Sequence, residues 1–460
     1  MAELEFKNGT LLWLGDELPI ALQAWFLADP RTGEWRARAC DYGEIVLACR
    51  QNQVEFTDHA GNFAAVKLQF HSACTPRPHQ LAAYESWKQN RWRGITALPT
   101  GGGKSFLAMY AMYKLQRPTL ILVPTIDLLQ QWVSQLERFF KQEIGMLGGG
   151  EKTIKPITVS TYDSAVLFME FIGNQFALLV CDECHHLPGA VYKTAAMQCV
   201  APYRLGLSAT PEDGDPERAK ILLEQIGPVV CEVAVADLEG GVLAPYQVES
   251  IPVELTEKEQ LEYEENRTIY RDFIRRNRIN FAGNNGWLDF LLAVSRQADG
   301  RRAFNAYLRQ REISRQGEAK IAAVWELIKQ HAAERIIVFT ADNATAYRIG
   351  RDFRLPVLTH HTKLAERKDM LDSFRNGDYP VLVTSKVLNE GVDVPEAAVG
   401  IIVSGSSSVR EHVQRLGRIL RSAPGKQAIL YELINCDTAE IYAVQRRREH
   451  AAYAGKTGEL

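Results

Sequence analysis

The sequence predicts an α/β protein with two parallel-sheet domains in tandem, a small β-rich domain before them and a helical insertion between them. Three observations support this fold class. At 460 residues the chain is too long for one ordinary hydrophobic core. From about residue 79 to 250, and again after 318, short apolar runs alternate with stretches of helical apolar spacing, which is typical of βαβ units. Residues 251–318 interrupt this alternation and are mostly helical in pattern.

These patterns divide the chain into the segments 1–72, 73–250, 251–318 and 319–460. Turn signals such as Asn8-Gly9 predict that the first segment is β-rich with one helix. In the first α/β segment we expect strands at Ile95–Leu98, Thr119–Val123, Ile157–Val159, Leu178–Cys181 and Tyr203–Leu207, and helices at Ser105–Leu115 and Ile126–Phe140. In the second we expect a helix at Glu318–Gln330, a strand at Ile336–Thr340 and strands near Val357, Val381, Ile401 and Ile429.

Composition limits the class of protein. Hydrophobic residues make up 46% and charged residues 24%, which are ordinary globular values. The net charge of −3 means that any positive surface for nucleic acid must be local. Eight cysteines without regular spacing predict reduced thiols in a cytoplasmic protein. The charged N-terminus and the lack of a long apolar run predict neither a signal peptide nor a membrane span.

A glycine-rich loop lies between a predicted strand and a predicted helix. It reads Thr100, Gly101, Gly102, Gly103, Lys104 and Ser105. Consecutive glycines let backbone N–H groups converge on the phosphates of ATP at the positive end of the helix. Lys104 would neutralise the β- and γ-phosphates, and the Ser105 hydroxyl would ligate Mg²⁺. The strict pattern has glycine where this chain has Leu98, which is a mild departure.

An acidic pair follows a predicted strand about 80 residues after this loop. The apolar run Leu178–Cys181 leads into Asp182 and Glu183, and His185 follows. Adjacent carboxylates allow a division of labour in which Asp182 holds Mg²⁺ and Glu183 polarises the attacking water. We expect His185 to sense the nucleotide and to couple it to the second α/β domain. An acidic pair alone is usually a solvated loop, so this prediction rests on its combination with the phosphate-binding loop.

Two cysteines flank the acidic pair and leave a second interpretation open. Cys181 and Cys184 form a C-x-x-C pattern beside His185 and His186, which could indicate zinc or redox chemistry. No second pair of ligands lies nearby in the sequence, and Cys181 belongs to a predicted core strand. A structural role for both cysteines is therefore favoured.

Residues downstream complete the predicted ATPase. Ser208 and Thr210 follow a predicted strand, where small hydroxylated residues suit a hinge between the nucleotide site and nucleic acid. Arg418 and Arg421 lie three residues apart, on one face of a predicted helix. Both could reach a γ-phosphate held by the other domain, as arginine fingers that contribute ~10³-fold or more in rate. A solvated basic helix is the alternative, and the order of all these elements disfavours it.

These motifs resemble those of superfamily 2 helicases, and most closely the XPB DNA repair helicases in their compact archaeal form. The resemblance runs over nearly the whole chain and is carried by LPTGGGKS, VPTIDLLQQW, TVSTYDSA, CDECHHLPG, RLGLSATP, NEGVDVPEA and QRLGRILR. It implies RecA-like domains, ATP and Mg²⁺ as cofactors, DNA as a partner and 3′ to 5′ movement. It further implies that 1–72 is a domain for recognising DNA damage and that 251–318 is the family's thumb. Archaeal relatives work with a nuclease, so we expect a nuclease partner.

The resemblance also implies roles for single residues. These are Gln80 in reading adenine, Thr125 and Thr161 in contacting DNA, Gly391 and Asp393 in ATP binding, and Gln414 in coupling. One motif departs from the family, because residues 210–214 read Thr-Pro-Glu-Asp-Gly and lack the arginine of an Arg-Glu-Asp motif thought to open the duplex. This favours, as an alternative, a duplex translocase or an annealing ATPase without strong unwinding. A scaffold for a nuclease partner is an alternative of another class, which the intact ATPase motifs argue against.

The helical insertion carries the local positive charge that the whole chain lacks. Between residues 266 and 315 there are eleven arginines and four acidic residues. Arg267, Arg271, Arg275 and Arg278 recur at helical spacing and predict one basic face for DNA, with a merely solvated surface as the alternative. For the interleaved aromatic residues, and for Trp13, Trp25 and Trp35 in the first segment, packing in a core is favoured over stacking on bases.

Overall fold

The computed structural model describes residues 2–71, 75–211, 215–238, 246–281, 286–385, 397–404, 428–436 and 438–440. The chain divides into two compact units, of which the first ends at Leu238. Within the described ranges, no helix combines the length and apolar character needed to cross a bilayer. Several residues singled out above lie outside these ranges, namely Glu212, Asp213, Gly391, Asp393, Gln414, Arg418 and Arg421.

The first unit begins with a small sheet and one α-helix around their own core. The elements are β1 (Ala2–Lys7), β2 (Thr10–Leu14), β3 (Leu27–Ala28), β4 (Trp35–Arg38), α1 (Tyr42–Gln51) and β5 (Phe56–Asp58). The strands lie in the order β3-β4-β2-β1-β5. Trp13 is buried, and Trp25 and Trp35 pack against the same core. The packing interpretation of these three tryptophans is therefore confirmed.

A larger sheet forms the rest of the first unit. Its elements are α2 (Pro78–Gln89), β6 (Arg93–Ala97), α3 (Lys104–Leu115), β7 (Thr119–Val123), α4 (Ile126–Phe140), β8 (Gly145–Gly148), β9 (Glu151–Thr153), β10 (Ile157–Thr161), α5 (Tyr162–Ile172), β11 (Leu178–Asp182), α6 (Lys193–Met197), β12 (Tyr203–Ser208), α7 (Pro216–Gln225), β13 (Val229–Glu232) and α8 (Val235–Leu238). The described strands run β13-β6-β12-β11-β7-β10-β8-β9, and all are parallel to their neighbours except β9.

Apolar spacing explains how the helices cover this sheet. In α4 the buried residues recur at the three- and four-residue intervals of one helical face: Leu129, Trp132, Leu136 and Phe140. This face joins a core that also includes buried residues of α2 and α3. Residues of α5, α6 and α7 belong to a second core together with other residues of the same strands. The sheet is thus covered on both faces, as parallel sheets require.

The described part of the second unit contains six helices and another parallel sheet. Its elements are β14 (Tyr246–Val253), α9 (Glu257–Arg276), α10 (Gly286–Arg296), α11 (Gly300–Gln316), α12 (Glu318–Gln330), β15 (Ile336–Phe339), α13 (Asn343–Phe353), β16 (Val357–Leu358), α14 (Leu364–Asn376), β17 (Val381–Thr384), β18 (Val399–Ile402) and β19 (Ala428–Asn435). The described strands lie in the order β14-β19-β18-β15-β17-β16, and every pair is parallel.

Two features differ from the sequence-based expectations. β14 crosses residue 250, where a boundary was expected, and pairs along its full length with β19. Its pairing explains the difference, because a strand partner that distant in sequence leaves no local pattern. The expected helical face of four arginines is also wrong, because α9 ends at Arg276. Arg278 follows the helix with a left-handed φ of 51°, so it does not share that face.

Candidate functional site

Five neighbouring strands of the larger sheet bring most of the candidate residues in the first unit to one edge. β6, β12, β11, β7 and β10 are adjacent in that order and parallel, so their carboxyl ends lie side by side. Open α/β sheets bind ligands at this edge. The glycine-rich loop follows β6, Ser208 ends β12 and Asp182 ends β11. Thr125 follows β7 and Thr161 ends β10, so the predicted ATP and DNA residues occupy adjoining halves of the edge.

The glycine-rich loop adopts a backbone that few other residues could adopt. Gly101 and Gly103 have φ values of 85° and 82°, in the left-handed region that favours glycine. Gly103 is the N-cap residue of α3, so free N–H groups of the first helical turn are available to an anion. A Cβ atom on Gly103 would lie 2.1 Å from Nε2 of Gln80. The local sequence therefore produces a backbone at a helix N-terminus that suits phosphate binding.

The amide of Gln80 positions this loop. Its Nε2 donates to the carbonyl oxygens of Gly103 at 3.2 Å and Gly102 at 3.4 Å, and its Oε1 accepts from the N–H of Arg77 at 2.9 Å. Nε2 of His79 lies 2.9 Å from the carbonyl oxygen of Gly102. Gln80 is buried and joins α2 to the loop, while its role in reading adenine stays a prediction.

Charged side chains from the loop and from β11 converge. Nζ of Lys104 donates to Oε1 of Glu183 at 3.3 Å, and Oε2 of Glu183 lies 3.4 Å from Nδ1 of His185. Glu183 has a φ of 47°, a conformation that costs a non-glycine residue on the order of 1–3 kcal/mol. Its N–H donates to Oδ1 of Asp182 at 3.1 Å, which supports the strained turn. Backbone strain of this kind is common where a side chain must point into an active site.

Asp182 is a buried carboxylate with defined partners. The indole N–H of Trp132 donates to its Oδ2 at 2.8 Å, and the hydroxyl of Tyr162 donates to its backbone carbonyl at 3.0 Å. Burial raises the pKa of Asp182 to about 6, and the charge of Glu183 adds to this shift. A divalent cation beside such a carboxylate would favour its ionised form. The site therefore gains electrostatically from binding a metal ion.

His185 connects β11 to the residues that follow β12. Its Nδ1 lies 3.1 Å from Oγ of Ser208, and the same Oγ accepts from the N–H of Thr210 at 3.2 Å. The guanidinium of Arg218, on α7, donates to the carbonyl of His185 at 2.7 Å. A movement of the Glu183 carboxylate can thus reach Ser208 and Thr210 through the imidazole of His185. This is the geometry that the predicted coupling role needs.

The residues fit ATP and Mg²⁺ in chemical type. The N-terminus of α3 and Lys104 offer positive charge to phosphates, and Thr100 belongs to the same loop. Ser105, in the first turn of α3, and Asp182 supply the oxygen ligands that Mg²⁺ prefers. Bound ATP would supply the phosphoryl group, and Mg²⁺ would neutralise the negative charge on its oxygens.

The structure assigns the hydroxyls of Thr125 and Thr161 to helix capping. Oγ1 of Thr125 accepts from the N–H of Leu128 at 3.3 Å, and Oγ1 of Thr161 accepts from the N–H of Ser164 at 3.2 Å. Tyr162 is also buried. The backbone N–H groups at the starts of α4 and α5 suit sequence-independent binding to phosphate.

The arginines of α9 differ in their surroundings. Arg271 and Arg275 are both exposed, and Arg275 also pairs with Asp272 at 2.9 Å. Arg267 lies over the ring of Tyr263, with its guanidinium carbon 5.6 Å from the ring centroid. Arg271 and Arg275 are therefore both exposed on α9, whereas Arg267 is half-buried.

The aromatic residues of the insertion mostly form its core. Tyr263 and Phe273 are buried, and Tyr270 packs edge-to-face on Phe290 with ring centroids 5.5 Å apart. Phe281 is the exception, with 44% of its surface exposed. The packing interpretation is confirmed for Tyr263, Tyr270 and Phe273, which pack within the insertion.

The two cysteines beside the acidic pair belong to the interior. Cys181 and Cys184 are buried in the core that includes residues of α5 and α6. Burial raises the pKa of the Cys181 thiol to about 12, so it is a poor thiolate ligand. The structural interpretation of both cysteines agrees with this position.

Sequence reasoning missed three residues that contact the site. Trp132 and Tyr162 hold Asp182, and Arg218 holds His185. Trp132 has one sequence signal, because it lies seven residues after Thr125 on the buried face of α4. The other two give no such signal, since their partners depend on strand order in the sheet.

Comparison with known families matches three stretches of the chain. The damage recognition domain of the Xeroderma pigmentosum group B helicase matches residues 4–60. The res subunit of type III restriction enzymes matches residues 73–213. The helicase conserved C-terminal domain matches residues 319–423.

Individual proteins show the same likeness. The chain is 39% identical over 375 residues to the DNA 3′-5′ translocase XPB2 of Sulfurisphaera tokodaii, covering 81% of this chain and 84% of that relative. It is 32% identical over 387 residues to the DNA 3′-5′ helicase XPB of Mycobacterium tuberculosis, covering 80% of this chain and 62% of that relative. Among solved structures, the Hef helicase domain of Pyrococcus furiosus is 20% identical with a TM-score of 0.53, covering 80% of this chain and 98% of that domain. The last match concerns the fold alone.

Proposed function

This chain belongs to the XPB family of superfamily 2 DNA helicases, and we propose that it is an ATP-dependent DNA translocase or helicase that moves 3′ to 5′ in DNA repair. The observation that carries the proposal is the cluster of Lys104, Asp182 and Glu183 at the carboxyl edge of the larger sheet. The same edge continues into the N-termini of α4 and α5, which offer phosphate contacts next to the nucleotide residues.

Each residue of the cluster has a role in ATP hydrolysis. Lys104 would neutralise phosphate charge, and Ser105 and Asp182 would hold Mg²⁺. A bound phosphate would replace Glu183 as the partner of Lys104. The carboxylate of Glu183 could then orient and polarise the attacking water. His185 carries the change to Ser208 through the contact at 3.1 Å.

We propose that α4 couples DNA to the ATPase. This helix begins after Thr125, at the DNA half of the edge, and two turns later Trp132 binds Asp182. α5 begins after Thr161, and its first residue, Tyr162, binds the backbone of Asp182. A DNA strand that shifts the N-terminus of α4 or α5 would therefore move Trp132 or Tyr162, and with it the carboxylate of Asp182.

A duplex translocase without strong unwinding is the second candidate. One observation favours it, namely that residues 210–214 contain no arginine ahead of the Glu-Asp pair. We also propose a nuclease as a protein partner. Failure of the chain to form a complex with a nuclease encoded beside it would count against that partner.

Strand-displacement assays test the proposed activity. Duplexes with a 3′ tail, a 5′ tail or blunt ends would be given to the full chain with Mg·ATP, with Lys104→Ala as the inactive reference. A 3′-to-5′ helicase separates the 3′-tailed duplex first. Release of a third strand from a triplex, without separation of any duplex, would instead identify a duplex translocase. Activity on neither substrate, despite ATP hydrolysis, would contradict both candidates.

A further inference from the structure

A cavity of about 340 Å³ lies in the first unit, between α1 and the amino edge of the larger sheet. Tyr42 and Arg50 line it from α1. The other wall is formed where strands begin, by Arg93 of β6, Tyr203 of β12 and Arg117 just before β7. The residues assigned to ATP and DNA lie at the opposite, carboxyl edge of these strands. This cavity, which we call the arginine pocket, is therefore a separate place in the fold.

Positive charge dominates the arginine pocket. Arg50, Arg91, Arg93 and Arg117 line it together with one carboxylate, Glu44. Within the part of the chain that the structure describes, the side chains of Arg50, Arg91 and Arg117 have no ion pair. A single exposed arginine without a partner is ordinary, but several around one concavity repel one another unless an anion lies among them.

Arg93 contrasts with a structural arginine nearby. Arg204 is fully buried, and its guanidinium donates to the backbone carbonyls of Ala196, Cys199, Ala201 and Gln225. Arg93 donates to one carbonyl, that of Glu224, at 3.1 Å. Burial, followed by the charge of Arg204, lowers the pKa of Arg93 to about 10. Arg204 is thus satisfied by the fold, whereas Arg93 would gain from a bound anion.

The turn that carries Arg91 is held in an unfavourable backbone conformation. Arg91 and the next residue, Trp92, have φ values of 55° and 62°, both left-handed. The N–H of Trp92 donates to the carbonyl of Trp87 at 3.0 Å, and the side chain of Asn90 donates to the carbonyl of Arg93 at 2.5 Å. Strained turns that are fixed in this way recur at ligand clamps.

Aromatic rings give the arginine pocket an apolar side. Tyr42, Phe63 and Tyr203 line it, and the hydroxyl of Tyr42 donates to Asp58 at 2.6 Å, which fixes that ring. Its volume is at the lower end of the ~300–1,000 Å³ typical of ligand sites, so it suits one small ligand unit.

We propose that the arginine pocket binds a nucleotide phosphate, with the attached sugar and base against the aromatic side. Guanidinium groups bind phosphate through paired, charge-assisted hydrogen bonds, and aromatic rings stack on bases. The phosphate belongs either to one unit of a nucleic-acid strand or to a free nucleotide. The proposal does not depend on ATP hydrolysis at the opposite edge.

Binding measurements on the full chain test this pocket. The probes are thymidine monophosphate, thymidine as the uncharged reference, and a fluorescent oligothymidylate of fifteen units. The variant is Arg50→Gln with Arg117→Gln, both exposed side chains. Its matched control is Arg138→Gln with Lys141→Gln, which also removes two exposed positive charges from the first unit. ATP turnover without nucleic acid should be unchanged in both.

The outcomes separate the two sources of phosphate. A loss of at least tenfold in oligothymidylate affinity, with a flatter salt dependence, would assign the pocket to a nucleic-acid strand. A loss confined to thymidine monophosphate would assign it to a free nucleotide. Equal affinities of the variant and the control for both probes would overturn the proposal.

Chemical modification gives a test that does not depend on a variant folding. Phenylglyoxal modifies accessible arginines, and mass spectrometry would measure its reaction at Arg50, Arg91 and Arg117. A saturating probe should slow modification at these three positions several-fold and leave Arg138 unaffected. Unchanged rates with both phosphate-bearing probes would contradict the proposed site.

Discussion

The two halves of the carboxyl edge in the first unit use their residues in opposite ways. In the half predicted to bind ATP, the side chains of Lys104, Glu183 and His185 contact one another in a continuous cluster. In the half predicted to contact DNA, the hydroxyls of Thr125 and Thr161 accept hydrogen bonds from backbone N–H groups and cap α4 and α5. Phosphoryl transfer needs particular functional groups, whereas movement along any sequence needs contacts that every phosphate can make. The comparison indicates that chemistry and strand binding can be separated by substitution.

The largest expected effect comes from Glu183→Gln, which removes a base and keeps the size of the side chain. We expect ATP turnover with DNA to fall by about 10²–10⁴-fold, as for loss of a general base. Binding of single-stranded DNA, measured by fluorescence anisotropy, should stay within twofold of the original chain. Glu137→Gln, at an exposed position of α4, is the matched control and should keep full turnover. Retention of more than a tenth of the turnover would remove Glu183 from its assigned role.

Gly103→Ala sharpens the comparison within the ATP half. Alanine in the left-handed region costs about 1–2 kcal/mol, and the new Cβ would also lie 2.1 Å from Nε2 of Gln80. We expect the KM for ATP to rise at least about tenfold with little change in DNA affinity. Gly150→Ala is the control, since Gly150 has a φ of 96° but open space around its Cβ position. Equal KM values for the two variants would show that contact with Gln80 does not matter.

Trp132→Phe tests the connection between the two halves. The substitution removes the hydrogen bond of 2.8 Å to Asp182, and leaving a buried partner unsatisfied costs about 1–3 kcal/mol. We expect a roughly five- to tenfold lower kcat with DNA, at unchanged DNA affinity. Trp87→Phe removes an equally buried indole bond, to the carbonyl of Arg204 at 2.8 Å, and should leave kcat unchanged. A similar loss in both variants would point to general destabilisation instead of coupling.

The smallest effect is expected in the second unit, for Arg271→Gln. This exposed arginine would contribute one phosphate contact, so DNA affinity should fall about twofold to fivefold and the salt slope by about 0.7–0.9. Arg309→Gln is the comparison, because Arg309 already pairs with Glu262 and Glu312. If the two variants weaken binding equally, the exposed surface of α9 has no special part in DNA binding.

Much of the α/β architecture follows from local sequence pattern. The helices at Ile126–Phe140 and Glu318–Gln330 begin and end where the apolar spacing predicts, and the side chain of Thr125 also caps the first of them. The glycine-rich loop and the acidic pair were also placed correctly, at the ends of β6 and β11. These features depend on residues close together in the chain.

What could not be predicted depends on partners that are distant in sequence. β14 pairs with β19, and its Ser250 bonds a residue 182 positions away. The orientation of Tyr162 toward Asp182 depends on the order of strands, which places β11 two strands from β10. The end of α9 is a separate case, because Asn277 caps the helix after Arg276 while the arginine spacing runs on to Arg278.

The most direct test of the central claim is steady-state ATP turnover by the full chain, with and without single-stranded DNA. Lys104→Ala is the inactive variant, and Lys114→Ala, at the other end of α3, is the matched control. We predict that DNA raises turnover several-fold in the original chain and in Lys114→Ala, and that Lys104→Ala shows no turnover with or without DNA. An ATP turnover rate that DNA does not change, or that Lys104→Ala retains, would contradict a DNA-dependent ATPase at this sheet edge.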